Sequence, residues 1–172
     1  KNIIRTVNEI PDANLIAIAS KNPESKNLVS NDCIVTRNWH DLLCIDKIDG
    51  IIIATPPDTH AKYILSTVDA GIPVMVEKPL TMDLEEAKNV KKSAEESNIP
   101  VLIDHIHILS PAYQALKSIL NKYGSIKHIT SIGGNYGPFN NTPPLWDWGV
   151  HDVSLCIDML GLDITLCNVK LL

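Results

Sequence analysis

Short apolar runs alternate with segments of helical spacing along the first hundred residues. Ile3, Ile4, Val7 and Ile10 recur at intervals of three and four, and Pro11 ends the pattern, which predicts a helix over residues 1–10. Residues 14–19 read as a buried strand, 24–30 as a short helix, 33–36 as a short strand and 39–45 as a brief helix. Residues 51–54 make the clearest strand: apolar throughout and mostly β-branched, as parallel strands are when both faces are covered. Thr55-Pro56-Pro57-Asp58 breaks it and opens a helix over 58–70 that Gly71 closes. A strand over 73–76 follows. Asp83-Leu84-Glu85-Glu86 then starts a helix to 97 as a capping box would, and a strand over 101–104 ends the series.

Strand and helix alternating across short connections predict an α/β fold with a parallel, Rossmann-type sheet over residues 1–105. From 110 the pattern changes. Ser110-Pro111 opens a helix to 123 and Gly124 closes it. An alternating strand over 126–134, a Gly/Asn/Pro-rich loop over 133–144, a helix over 147–160 and a strand from 163 onward predict the start of a second, α+β domain over residues 106–172. Residue 1 is already inside a helical pattern, and 168–172 stop inside a strand. A doubly wound sheet has its first strand at the centre, and helix 1–10 would follow that strand. The expectation is a piece of a longer chain, lacking the first strand and the C-terminal part.

Composition narrows the function classes. The 172 residues are 45% hydrophobic, with mean hydropathy +0.05, net charge -5 and pI about 5.6. No basic footprint suits nucleic acid or an anionic membrane, and no apolar run approaches the ~18 residues of a span. The start, Lys1-Asn2-Ile3-Ile4-Arg5, is not a signal peptide. Cys33, Cys44, Cys156 and Cys167 form no C-x-x-C and no close Cys/His pair. They read as small buried hydrophobes in a reducing, cytoplasmic compartment, with no metal site.

Three places carry candidate chemistry. The strand Val74-Met75-Val76 ends in Glu77-Lys78-Pro79, and open α/β sheets bind ligands at the carboxyl ends of their strands. Asp147 and His151 are four apart and share one face of a helix, where they hold one hydroxyl between them or form an ordinary exposed pair. Trp146 and Trp148 flank Asp147 as a wall for a sugar ring or as core packing. Asp152 points elsewhere and is assigned to structure. Ser20-Lys21-Asn22 ends the second Rossmann strand without the acid an NAD site usually places there. A hydroxyl beside a cation suits a 2′-phosphate, although Lys21 reads equally as a solvated turn residue. His105 and His107 stand at the end of the last strand and are expected to face opposite sides. One of them reaches the cleft, and His105 is assigned to substrate. Tyr136 and the 137–144 loop are further candidates for substrate contact, or simply a loop.

Taken in order, Ala54-Thr55-Pro56-Pro57-Asp58-Thr59-His60, Glu77-Lys78-Pro79 and Asp147-x-Gly149-x-His151 resemble the glucose–fructose oxidoreductase / inositol dehydrogenase / rhizopine-catabolism (Gfo/Idh/MocA) family. The resemblance implies a Rossmann domain for NAD or NADP, followed by a domain that holds a sugar, cyclitol or nucleotide sugar and often makes a homo-oligomer interface. It implies that Ala54, Thr55 and Pro56 line the cofactor, with His60 starting the helix behind them, and a cis peptide before Pro79; Glu77 anchors the backbone or orients Lys78, Lys78 reaches the reacting oxygen and the nicotinamide ribose, and His60, Glu77 and Lys78 are assigned to the cofactor. The run Asp104-His105-Ile106-His107-Ile108-Leu109-Ser110-Pro111 looks like members tied to nucleotide-sugar metabolism. The family's G-x-G-x-x-G loop has no counterpart here and would fall just before Lys1. The implied activity is NAD(P)-dependent oxidation of a secondary alcohol, with Lys78, Asp147 and His151 catalytic. An NAD-assisted lyase, epimerase or glycosidase and a non-catalytic nucleotide sensor are the other readings.

Overall fold

The computed structural model describes residues 2–124, 126–133, 143, 145–163 and 165. It divides into two compact units, Lys1–Asp49 and Gly50–Leu172.

In the first unit helix α1 (Asn2–Glu9) precedes strands β1 (Ala17–Ala19) and β2 (Ile34–Thr36). The strands pair in parallel, Ala17 opposite Ile34 and Ala19 opposite Thr36. The predicted buried strand over 14–19 is shorter and half-buried; among the described residues it pairs with β2, and pairing begins where β2 does. The helices predicted over 24–30 and 39–45 are 3₁₀ turns, Pro23–Leu28 and Trp39–Cys44. Each is opened by an asparagine whose side chain accepts a backbone N–H two residues on, from Glu24 to Asn22 (3.0 Å) and from His40 to Asn38 (3.3 Å). Such local caps favour a tight turn over a continuing α-helix.

In the second unit β3 (Ile51–Ile53), β4 (Val74–Val76) and β5 (Val101–Ile103) form a parallel sheet in that order. The register places Ile53, Val76 and Ile103 level, so the three carboxyl ends emerge at one edge. The backbone of Glu77 donates to Ile53 (2.9 Å) and that of Asp104 to Val76 (2.8 Å), which keeps those exits aligned. Helices α2 (His60–Asp69) and α3 (Leu84–Ser97) supply Ala61, Ile64, Val68 and Val90 to a core with Ile53, Val74 and Val76. The alternate strand positions Ile52 and Leu102 are 40% and 59% exposed. The expectation that both faces of this strand set are covered therefore fails at these positions.

Capping follows the sequence closely. Asp83 accepts the N–H of Glu86 (2.9 Å) at the start of α3, and Asn98 ends it in the left-handed region, φ 54°. Ser110 accepts the N–H of Tyr113 (3.3 Å) at the start of α4 (Pro111–Tyr123), and Gly124, φ 104°, closes that helix. Residues 126–133 are not a strand, contrary to expectation. Most of the strand predicted from 163 onward lies outside the described residues. Tyr136 and most of the 137–144 loop also lie outside them. The helix predicted over 147–160 is a π-helical turn, Leu145–Gly149, leading into α5 (Val150–Leu160). Tyr113 and Lys117 of α4 both donate to Asp158 of α5, at 2.6 and 2.8 Å, and bind the two helices together. Cys33 is buried, Cys156 half-buried and Cys44 exposed, so the expectation of buried thiols fails at Cys44, at the end of a short surface turn. No helix among the described residues is long and apolar enough to cross a membrane.

Candidate active site

The level exits of β3, β4 and β5 determine what can meet. β3 leads into Ala54, Thr55 and Pro56, an exposed turn closed by hydrogen bonds from the Thr59 hydroxyl to the Thr55 hydroxyl and the Pro56 carbonyl, both 2.7 Å. β4 leads into Glu77, Lys78 and Pro79, with a cis Lys78–Pro79 peptide. His60, fully buried, sits between these exits: its ring nitrogens lie 2.8 Å from the carbonyl oxygens of Thr55 and Pro79. Both nitrogens are therefore occupied by main chain, and the ring ties one loop to the other.

Lys78 reaches from its loop to the π-helical turn. Its Nζ donates to the Asp147 carboxylate (Oδ1, 3.0 Å) and to the Asp147 carbonyl (2.5 Å). The side chains are 20% and 38% exposed, so the pair is partly withdrawn from water. The π turn opens with the N–H groups of Trp146 and Asp147 both donating to the Pro143 carbonyl, at 2.9 and 3.1 Å. Single π turns inserted in helices recur at functional sites because they re-aim side chains.

His151, in the first turn of α5, is 7% exposed, and its Nδ1 is buried without a hydrogen-bond partner. Burial first, then the charges of His107, Lys78 and His105, push the imidazole down to about 4, against the upward pull of Asp147. It is thus a neutral acceptor at physiological pH. Two more buried atoms nearby lack partners, His105 Nδ1 and Trp148 Nε1. Burial lowers the His105 pKa, opposed by Asp104, whose own carboxyl is raised by burial. Native interiors pair most of their buried polar atoms, so several orphans in one cluster suit a ligand that completes them.

His105 and His107 do not face opposite sides. β5 ends at Ile103, and the chain then coils through bonds from Ile108 to His105 (3.0 Å), Leu109 to Ile106 (3.2 Å) and Ser110 to His107 (3.3 Å). Residues two apart share a face on a strand as well, so neither the strand nor the turn sets the two rings on opposite sides. The His107 ring lies 4.4 Å from His151, centroid to centroid, at 90°, and 5.9 Å from Trp148. Trp148, rather than Trp146, is the tryptophan whose ring meets His151 among the described residues, at 5.6 Å. Gly133 lies against the Trp148 indole so closely that a Cβ there would overlap the ring. Asp152 accepts a hydrogen bond from Ser131 (2.7 Å), away from the cluster.

The first unit holds a separate feature. Beyond the level ends of β1 and β2 lies a hollow of about 440 Å³ whose lining includes Ser20, Lys21, Asn22, Lys26, Thr36 and Arg37. Ser20 and Ser25 share a 2.6 Å hydrogen bond beneath it. No carboxylate lines it, and none of the three cations is ion-paired among the described residues. Sequence reasoning found Ser20 and Lys21 and missed Lys26 and Arg37. The signal was present for Arg37, which follows β2 as Ser20 follows β1.

Residues 1–105 match the model of the oxidoreductase family with an NAD-binding Rossmann fold. The chain belongs to this Gfo/Idh/MocA family. Its described structure superposes on a crystal structure of a protein from Magnetospirillum magnetotacticum MS-1 with TM-score 0.90 and 41% identity, over 95% of this chain and 54% of that one. It is 26% identical to scyllo-inositol 2-dehydrogenase (NAD(+)) of Bacillus subtilis strain 168, over 96% of this chain and 51% of that protein. It is 27% identical to UDP-N-acetylglucosamine 3-dehydrogenase of Acidithiobacillus ferrooxidans, over 68% and 37%. The chain spans about half the length, or less, of these relatives.

Proposed function

We propose that the chain carries the reacting centre of an NAD(P)-dependent dehydrogenase for a secondary alcohol of a sugar, cyclitol or nucleotide sugar. One observation carries the reading: Lys78 is held 3.0 Å from Asp147 beside a buried, unprotonated His151 with a free ring nitrogen. A bound nicotinamide supplies the hydride acceptor. His151 accepts the hydroxyl proton as the alcohol becomes a ketone, work that requires a base uncharged at working pH. Lys78 donates to the substrate oxygen and offsets charge that develops on it. Asp147 fixes the lysine and accepts from a neighbouring hydroxyl. Trp148 gives the sugar ring an apolar face and keeps water from the imidazole.

The cofactor reading is NADP over NAD. The hollow after β1 and β2 offers Lys21, Lys26 and Arg37, with the Ser20 hydroxyl, to a 2′-phosphate, and has no acid for a free ribose diol. The exposed Ala54–Pro56 turn is open to the cofactor, whereas His60 is committed to the backbone.

The test uses the full-length protein with NADP and NAD against a panel of inositols, hexoses and UDP-sugars. Lys78→Met and His151→Gln each lower kcat by about 10²–10⁴-fold, the usual range for a lost acid–base group, with cofactor Kd changed by less than about threefold. Turnover within a few-fold of wild type in both variants overturns the site.

A further inference from the structure

The unexplained member of the cluster is His107. Its ring is set edge-to-face on the imidazole of His151 and lies near Trp148 as well. His151 Nδ1 and Trp148 Nε1 are the two atoms of those rings left buried without a partner. No hydrogen bond through Nδ1 therefore fixes the plane of the His151 ring among the described residues. Two rings pack against it, Trp148 at 70° and His107 at 90°. An apolar ring would fill the same space. A histidine adds a group that carries charge of the same sign as a protonated His151, and like charges in contact exclude one another.

We propose that His107 is a positioning residue for His151, fixing the plane of its ring and keeping its free nitrogen available to accept a proton. This rests on His151 being the base of the reading above. The other titratable or charged groups facing His151 are Lys78 from the loop after β4, His105 from the same turn as His107, and Asp147 from the π turn. Asp104 acts on His105 in turn. Lys78 and His105 push in the same direction as His107, and Asp147 opposes them. His107 is the largest of the charged influences after burial itself, and the one in ring contact.

The test is a pH titration of ¹⁵N-histidine-labelled full-length protein by NMR, the His151 signals assigned by their loss in His151→Gln. His107→Phe keeps ring bulk and removes the charge. His107→Gln removes both, and repeats the titration with a smaller side chain should the phenyl ring disturb packing. In wild type the His151 midpoint lies below the ordinary value of about 6.5. In both variants it rises by about half a unit or more, and in His107→Gln the signals broaden as the ring loses its fixed plane. A wild-type midpoint at the ordinary value, or midpoints in both variants within about 0.2 of wild type, overturns the proposal. The titration needs no substrate, so failure of every alcohol in the panel would sink the dehydrogenase reading while leaving this result intact.

Discussion

Lys78 and the cations of the first-unit hollow are the same chemistry in opposite settings. Lys78 is mostly withdrawn from water, donates to both the carboxylate and the carbonyl of Asp147, and is anchored through the cis Pro79 loop that His60 grips. Lys21, Lys26 and Arg37 stand around an open hollow with no carboxylate partner. A cation held by two short bonds acts through its position. Cations around open solvent act through their summed field, which salt screens over about 8–10 Å. Geometry governs the first, and net charge the second.

The sharpest break in this comparison exchanges cation for cation. Lys78→Arg keeps the charge but replaces a compact ammonium by a planar fork that cannot make the same two bonds, so turnover falls by about 10²-fold or more. Lys21→Arg in the hollow leaves NADPH affinity within about threefold. Arg37→Ala removes a charge-assisted bond of about 1.5–3 kcal/mol, so NADPH Kd rises about tenfold or more while NADH Kd hardly moves. Raising salt weakens NADPH binding in wild type and less steeply in Arg37→Ala. Steady-state kinetics and calorimetric binding read both. Equal losses from the two exchanges would erase the distinction.

How much of this was legible in the sequence differs between the same regions. The apolar runs at 51–53, 74–76 and 101–103 declared three parallel strands, and the caps Asp83 and Ser110 fell where the residue types demanded. Local chemistry determines such features. Lys78, Asp147 and His151 were singled out as residues, and the structure brings them near one another. The π turn that re-aims Asp147 was not legible, because it leaves the helical pattern intact while changing its pitch locally. His107 was misplaced against the strand rule itself, which sets residues two apart on one face, and the chain in any case leaves the strand after Ile103. Lys26 and Arg37 were passed over since charges on short turns look solvated until two strand ends are seen to be level.

A second way to sharpen the comparison is proton linkage, since a desolvated site titrates with folding and an open one does not. His151 sits near 4 when folded and close to 6.5 when unfolded. Between those values the unfolded chain binds more protons, so stability falls as pH drops from about 6.5 towards 4. The thermal midpoint of wild type should decline by a few degrees across that window. His151→Gln should flatten the decline, and Lys21→Ala should leave it unchanged. An unaltered slope in His151→Gln would show that His151 is protonated in the folded state over this range.

The smallest effect is expected away from both sites, in the contact that holds α5 to α4. Tyr113 is buried, and its hydroxyl donates to Asp158 (2.6 Å) and more weakly to the Leu155 carbonyl (3.3 Å). Tyr113→Phe removes one donor but strands no charge, because Lys117 still donates to Asp158 (2.8 Å). The cost is therefore that of one hydrogen bond, about 1 kcal/mol, seen as a lower urea midpoint at unchanged slope. Its pH signature has the opposite sign to that of His151. Burial, reinforced by the Asp158 bond and charge, raises the phenol well above its ordinary pKa, so the folded state holds its proton where the unfolded chain has lost it. Wild-type stability thus falls as pH rises past about 10, and Tyr113→Phe lacks that contribution. Turnover and NADPH affinity should both stay within about twofold. A loss of turnover with affinity intact would instead mean that the α4–α5 clamp sets the position of His151, making it part of the geometric half of the comparison.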